Sequence, residues 1–461
     1  MNRISPGALF FSAIILFSVN HAQGQDGNVE KSSRPRSVVA AAREQQQTQQ
    51  NTTQLPKPAE PTQQVPPVLP KPNPKSENAP SAMQPAPNGT ENNRVIAPKL
   101  PQPVPAEADS NRAISLKLPL TPVVTMSRIS EAQRLLKSRP VTTALTAPSI
   151  EFVTVAALEP GTARTHLITF SKQTFLTKGA ELAIPSSLGT LVSIKILRAN
   201  GVNTAMTILT PDGTSLVPLT VEYPIERNGV FREMAYYTSA HPALLSNDLT
   251  RSGQGYVRNM LDLAARRLGE RGVNVSPALV DIAEKLCIVE HTDHDRFRQE
   301  NRLGLFNEIY SLYALNELET YKYSVSVAGA GGMVQMIPWA YNLVRQRHPG
   351  VGLMPDFVTG MRNHGNALQA MLLYMQDTWN DLAANDDVQF AMSSKIATQA
   401  ELMAAGYNSN AAKLPGYIRR GGDQWRGLIP RETQMYLQIY KSFDSLVPLK
   451  PRVANPTVAK E

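Results

Sequence analysis

The chain has 461 residues, a formal net charge of +8 and a single cysteine, Cys287. One cysteine excludes an internal disulfide framework, so any folded part must be held by burial alone. The basic balance suits an anionic partner such as a cell wall or a membrane surface, and no nucleic-acid motif accompanies it.

Met1, Asn2 and Arg3 precede an uncharged apolar run over 8–19. That run is short for a membrane span and has the length of the apolar core of a secretory signal. Small residues at Ala22 and Gly24 give a cleavage region, so residues 1–24 are expected to be removed on export. The alternative is an uncleaved N-terminal anchor. With the signal gone, no integral membrane span is expected.

Between Ser18 and Glu151 there is no Phe, Tyr or Trp, and 16 of the 36 prolines fall between Pro35 and Pro105. A segment without large apolar side chains cannot recover the entropy of ordering. Residues 25–149 therefore read as a disordered Pro/Gln-rich tether, with a short helix expected at 130–137 behind Ser130. The composition shifts at Phe152. Runs over 167–170, 190–197 and 204–209 are rich in β-branched residues, and Pro211, Asp212 and Gly213 mark a turn. This predicts a small β-sandwich-like domain over 150–228.

From Gly229 the pattern turns helical. Segments at 253–268, 303–318, 337–347, 367–384, 395–405 and 432–443 carry helical apolar spacing, and Ser276–Pro277 is a cap followed by a first-turn proline. The fold class is therefore multidomain, with an α-rich domain over 229–445 and a disordered tail over 446–461.

Four segments carry candidate chemistry. The helix after Ser276 places Leu279, Ile282, Ala283, Leu286 and Val289 on one face, and Glu290 falls on that face four residues after Leu286. An apolar wall raises a carboxyl pKa, which a general acid needs near neutral pH. The second segment, 329–338, reads Gly-Ala-Gly-Gly-Met-Val-Gln-Met-Ile-Pro. Its glycines permit positive φ and close approach of a backbone or ligand. The third is a polar loop with Gly406, Tyr407, Asn408, Ser409 and Asn410, and the fourth is Pro430 to Tyr436, opening the last helix with Glu432.

In this order the four segments resemble the soluble-type lytic transglycosylases, a family with a lysozyme-like fold. Gly329, Ala330, Gly332, Gln335 and Pro338 match the family's glycine-rich run, and Glu290, Tyr407–Asn408 and Glu432–Tyr436 match its other motifs. The resemblance covers about 280–445. His291 stands where the family usually has Ser, Ile337 where it usually has Met, and Gly406 where it has Ala. The 39 residues from Glu290 to Gly329 exceed the usual spacing, and 301–323 looks like an inserted helix. The resemblance implies a peptidoglycan lyase, periplasmic or secreted, that cuts the MurNAc–GlcNAc β-1,4 bond with 1,6-anhydro ring formation. It implies Glu290 as the catalytic acid and then base. It also implies that Gln335 and Tyr407 line the sugar subsite, that Gly332 and Met333 lie in the substrate loop, that Asn408 holds its loop, and that Glu432 shapes the cleft.

Three other readings stay open. A hydrolytic muramidase needs a second carboxylate or a positioned water. Asp293 and Asp295 cannot both face Glu290 on a continuing helix. His291, Asp293, His294 and Asp295 could ligate zinc, but His-Glu-x-x-His is absent, and no metal or cofactor is expected. A non-catalytic wall-binding scaffold is the third, with the β-domain or tether recruiting an envelope protein.

Overall fold

The computed structural model describes residues 120–139, 149–326 and 329–453, and 54% of these residues are helical. The expected signal segment and the tether as far as residue 119 lie outside the described residues. None of the described helices is long and apolar enough to cross a membrane.

The tether is not featureless where it is described. Helix α1, Pro122–Lys137, starts eight residues before the expected position. Thr121 caps it, with Pro122 in the first turn, whereas Ser130 lies mid-helix and returns its hydroxyl to the Met126 carbonyl. Thr125, Ile129, Ala132 and Leu136 form its buried stripe. Ile129, Ala132 and Leu136 pack with Ala156, Leu158, Val217 and Leu219 of the sheet.

The β-unit is a seven-stranded antiparallel sheet, partly closed. Its strands are β1 (Phe152–Leu158), β2 (Thr165–Ser171), β3 (Glu181–Pro185), β4 (Leu191–Arg198), β5 (Ala205–Leu209), β6 (Ser215–Arg227) and β7 (Val230–Tyr237), with the short helix α2 (Lys172–Phe175) after β2. The order is β2-β1-β6-β5-β4-β3, and β7 pairs with β6. In β4, Val192, Ile194 and Ile196 face the core while Ser193 and Lys195 face out, as alternation requires. Strand β6 is instead buried over nine consecutive positions, because both faces of the sheet are covered. The expected boundary at 228 is corrected: Arg227 pairs with Val230 across Asn228 and Gly229, both at positive φ. This is a hairpin turn, so the sheet continues to Tyr237.

The helical unit comprises α3 (Asn247–Gly269), α4 (Pro277–Val289), α5 (His294–Gln299), α6 (Arg302–Asn316), α7 (Pro338–Arg347), α8 (Phe357–Arg362), α9 (His364–Ala383), α10 (Asp386–Ser393), α11 (Gln399–Asn408), α12 (Leu414–Gly421) and α13 (Arg431–Leu446). Helix α6 is the insertion seen in the sequence. It is apolar around most of its circumference because it is buried on most sides. Leu305, Phe306, Ile309, Tyr310 and Tyr313 enter the helical core, Leu312 enters one sheet core, and Ala314 and Leu315 enter the other. Gly253 of α3 lets the two helices touch, since a Cβ there would run into the Tyr310 carbonyl. Asn316 ends α6 by bonding both backbone groups of Thr238, each at 2.8 Å. The insertion is therefore the joint between sheet and helices.

The expected tail also changes. Val447 is buried, and Arg452 pairs with Asp262, Asp281 and Glu284 on α3 and α4. Glu284 is 1% exposed and also meets Arg258, so the segment to 453 is strapped onto the helix that carries Glu290.

Candidate active site

Helix α4 starts where Ser276 caps it and Pro277 presets φ, and it ends at Glu290, its C-terminal capping residue. The helix is buried nearly all round at its C-terminal half, so Glu290 is only 5% exposed. The Tyr436 hydroxyl donates to Glu290 Oε1 at 2.6 Å. Burial pushes the Glu290 carboxyl up to about 8, the bond from Tyr436 opposes this, and the nearby Glu432 charge adds to it. Glu432 is half-buried in the first turn of α13, one turn before Tyr436, so one helix end supplies both influences.

The run 329–338 is a compact loop leading into α7. Gly331 bridges to both Val325 and Met336. Gly332 has φ +68°, and a Cβ there would collide with the Met361 carbonyl, so only glycine fits. Met333 is fully buried, which places its side chain in the core rather than on a substrate face. Gln335 sits at φ +46°, and its amide nitrogen donates to the Gly332 carbonyl at 2.8 Å and to Ser324 Oγ at 3.1 Å. That nitrogen is thus turned inward to brace the loop.

Two side chains beside the acid fix consecutive carbonyls of this loop. The Tyr407 hydroxyl donates to Val334 O at 2.7 Å, and His291 Nε2 lies 2.9 Å from Met333 O. A carbonyl only accepts, so His291 carries its proton on Nε2. Burial presses the His291 pKa down to about 3, so the ring is neutral. Residues 406–408 correct the expected polar loop: Tyr407 and Asn408 form the buried last turn of α11, which begins with the Thr398–Glu401 capping box. Asn408 is 5% exposed at that helix end.

The structure therefore gathers Glu290, Tyr436, Glu432, Tyr407 and the 333–334 carbonyls. Gln335 and Gly332 belong to the same loop through its own backbone. Asp293 caps α5 and Asp295 pairs with Arg298, so neither serves Glu290. Tyr436 is marked in the sequence only as the end of a motif, and His291, marked there as a departure and a candidate zinc ligand, instead holds the Met333 carbonyl. A groove of about 250 Å³ lies elsewhere, lined by residues that include Leu318, Lys322, Arg362 and His364. The chain matches no protein-family model, no curated protein and no solved structure.

Proposed function

We propose that the chain is a lytic transglycosylase of bacterial peptidoglycan, acting in the periplasm or after secretion, with a lysozyme-like arrangement of helices around its acid. The observation that carries this reading is the state of Glu290. An enclosed carboxyl bonded to Tyr436 and pushed up to about 8 keeps its proton at neutral pH, as a general acid must. In this reading Glu290 gives that proton to the glycosidic oxygen as the MurNAc–GlcNAc bond breaks. The carboxylate left behind is basic, because burial and Glu432 both disfavour its charge. It takes the proton of the muramoyl 6-hydroxyl while that oxygen attacks C1, closing the 1,6-anhydro ring and restoring the acid. One carboxyl serves both steps because the nucleophile belongs to the substrate, unlike the two-carboxylate arrangement of most glycosidases. Gly332 and Gln335 shape the loop wall, and Tyr407 anchors it through the Val334 carbonyl.

One observation favours a second reading, a non-catalytic wall-binding scaffold. Glu290 is only 5% exposed. Zymography on purified peptidoglycan separates the two. The enzyme reading expects clearing by the wild-type protein and none by a folded Glu290→Gln variant. Clearing that survives the substitution would remove Glu290 from the chemistry, and no clearing by the wild type favours the scaffold.

A further inference from the structure

The segment between α6 and the glycine loop holds a side-chain relay that the function just proposed does not use. His291, next to the acid, stacks face to face on Tyr321, with ring centroids 3.4 Å apart and planes 1° from parallel. Tyr321 packs against both the helical core and the sheet core. Its backbone is hydrogen-bonded to the hydroxyl of Tyr237, the last residue of β7. Two residues on, the Tyr323 hydroxyl donates to Glu233 of β7 at 3.1 Å, and Arg362 of the helical unit grips the same carboxylate at 2.6 Å. Tyr321 is thus fastened to the sheet on one side and stacked on His291 on the other. His291 in turn holds the Met333 carbonyl.

Backbone conformation marks both ends of this relay. Tyr321 has φ +56° and Gln335 has φ +46°, left-handed values that side chains with a Cβ adopt only when their surroundings enforce them. Tyr321 is held by sheet contacts, and Gln335 by its bonds to Gly332 and Ser324. His291 is the link between the two strained points. A serine here, as in the family that the sequence resembles, has no ring to stack and no nitrogen to reach Met333.

We propose that His291 and Tyr321 are positioning residues through which the sheet unit sets the 329–338 loop against Glu290. The sheet is then a working support of the acid site rather than a separate module. The Glu290–Gly329 insertion is what lets it act, because the insertion carries both α6, the joint, and Tyr321, the contact. The proposal rests on the transglycosylase reading only for what the loop serves, and its physical content concerns loop order.

The test compares His291→Ala with His291→Gln, whose amide nitrogen can reach where Nε2 stood, and Tyr321→Ala with Tyr321→Phe, which keeps the stacked ring. Hydrogen exchange is followed at the amides of Gly331, Gly332 and Gln335, which bond to Met336, Ser324 and Gly332 carbonyls. The sheet amides of β1 and β6 serve as the reference for overall stability. The expected result is exchange at least tenfold faster at the three loop amides in both alanine variants, with the sheet reference unchanged. His291→Gln and Tyr321→Phe should stay within about twofold of wild type. On glycan strands, kcat should fall at least tenfold for His291→Ala with KM little changed, and His291→Gln should recover most of it. Uniformly faster exchange in loop and sheet, or no loop change in His291→Ala, would overturn the proposal. Should Tyr321→Ala fail to fold, the His291 pair decides alone. A wild-type protein that cleaves no glycan defeats the functional reading, while the exchange comparison still decides the relay.

Discussion

Replacing Glu290 by Gln should raise the stability of the protein by an amount that grows with pH. The folded carboxyl titrates near 8 against a reference of 4.5, so between those values the folded protein keeps a proton that the unfolded chain has released. Stability carried by that proton is complete below pH 4.5 and is lost as the pH rises towards 8. At about 1.4 kcal/mol per pH unit, the cost of the native carboxyl is about 3 kcal/mol at pH 7 and approaches about 5 kcal/mol above pH 8. Gln keeps the acceptor that Tyr436 uses and carries no charge at any pH. Its buried amide adds an offset of about 1–3 kcal/mol that does not depend on pH. The diagnostic is therefore the slope. At roughly 2–4 °C per kcal/mol, the melting temperature of Glu290→Gln minus that of wild type should rise by about 6–12 °C from pH 4.5 to pH 7. The neutral buried His291 and His364 also make stability pH-dependent, with loss as pH falls below 6.5, but they are common to both proteins and cancel in the difference. Differential scanning calorimetry across pH 4–8 measures the slope. A difference that stays flat across that range would show that Glu290 titrates like an exposed carboxylate, and the general-acid argument would fall with it.

Other perturbations read separate parts of the architecture. Tyr436→Phe removes a bond that favours the Glu290 carboxylate, so the Glu290 titration followed by ¹³C NMR should move further up and turnover should fall by roughly 10- to 150-fold, a loss on the order of 1.5–3 kcal/mol for a charge-assisted bond. A truncation beginning at residue 149 strips Ile129, Ala132 and Leu136 from the sheet and should lower stability by several kcal/mol, at about 1.5–3 kcal/mol per large buried side chain, while one beginning at residue 118 should melt like the full chain. Arg452→Ala leaves the enclosed Glu284 with Arg258 alone and should cost about 3 kcal/mol in urea unfolding, a loss that Arg452→Lys restores only in part because the fork to three carboxylates is gone.

Much of this architecture is legible in the sequence where a local rule and the tertiary environment agree. Ser276–Pro277 starts α4 as expected, the alternation in β4 faces Ile194 and Ile196 inward, and the position of Glu290 on an apolar helix face leads to its enclosure. Elsewhere the local signal is overridden by the tertiary environment. Asn228–Gly229 is a hairpin signal, yet a change of composition nearby makes it look like a domain boundary. Strand β6 contains Pro218 and Pro224 and lacks alternation, because both of its faces are covered. Helix α1 has no aromatic residue and only a narrow stripe, so its order comes from the sheet it covers. Residues 447–453 are short and carry no periodicity, so they read as a tail, yet Val447 and Leu449 pack on the helical core and Arg452 meets carboxylates on α3 and α4. At the site, the pattern places Glu290 on the apolar face but cannot show that Tyr436 reaches back 146 residues to bond it. His291 looks like a departure from a motif until its partner carbonyl, 42 residues away, is seen.

In the proposed mechanism Glu290 breaks the glycan strand by closing a ring within the substrate. The direct measurement is digestion of purified peptidoglycan in H₂¹⁸O, with mass spectrometry of the released fragments from the wild-type protein and from Glu290→Gln. The wild type should release 1,6-anhydro-muramoyl ends free of ¹⁸O, and the variant none above background. Reducing ends carrying ¹⁸O would identify a hydrolase, and anhydro ends released equally by both proteins would remove Glu290 from the chemistry.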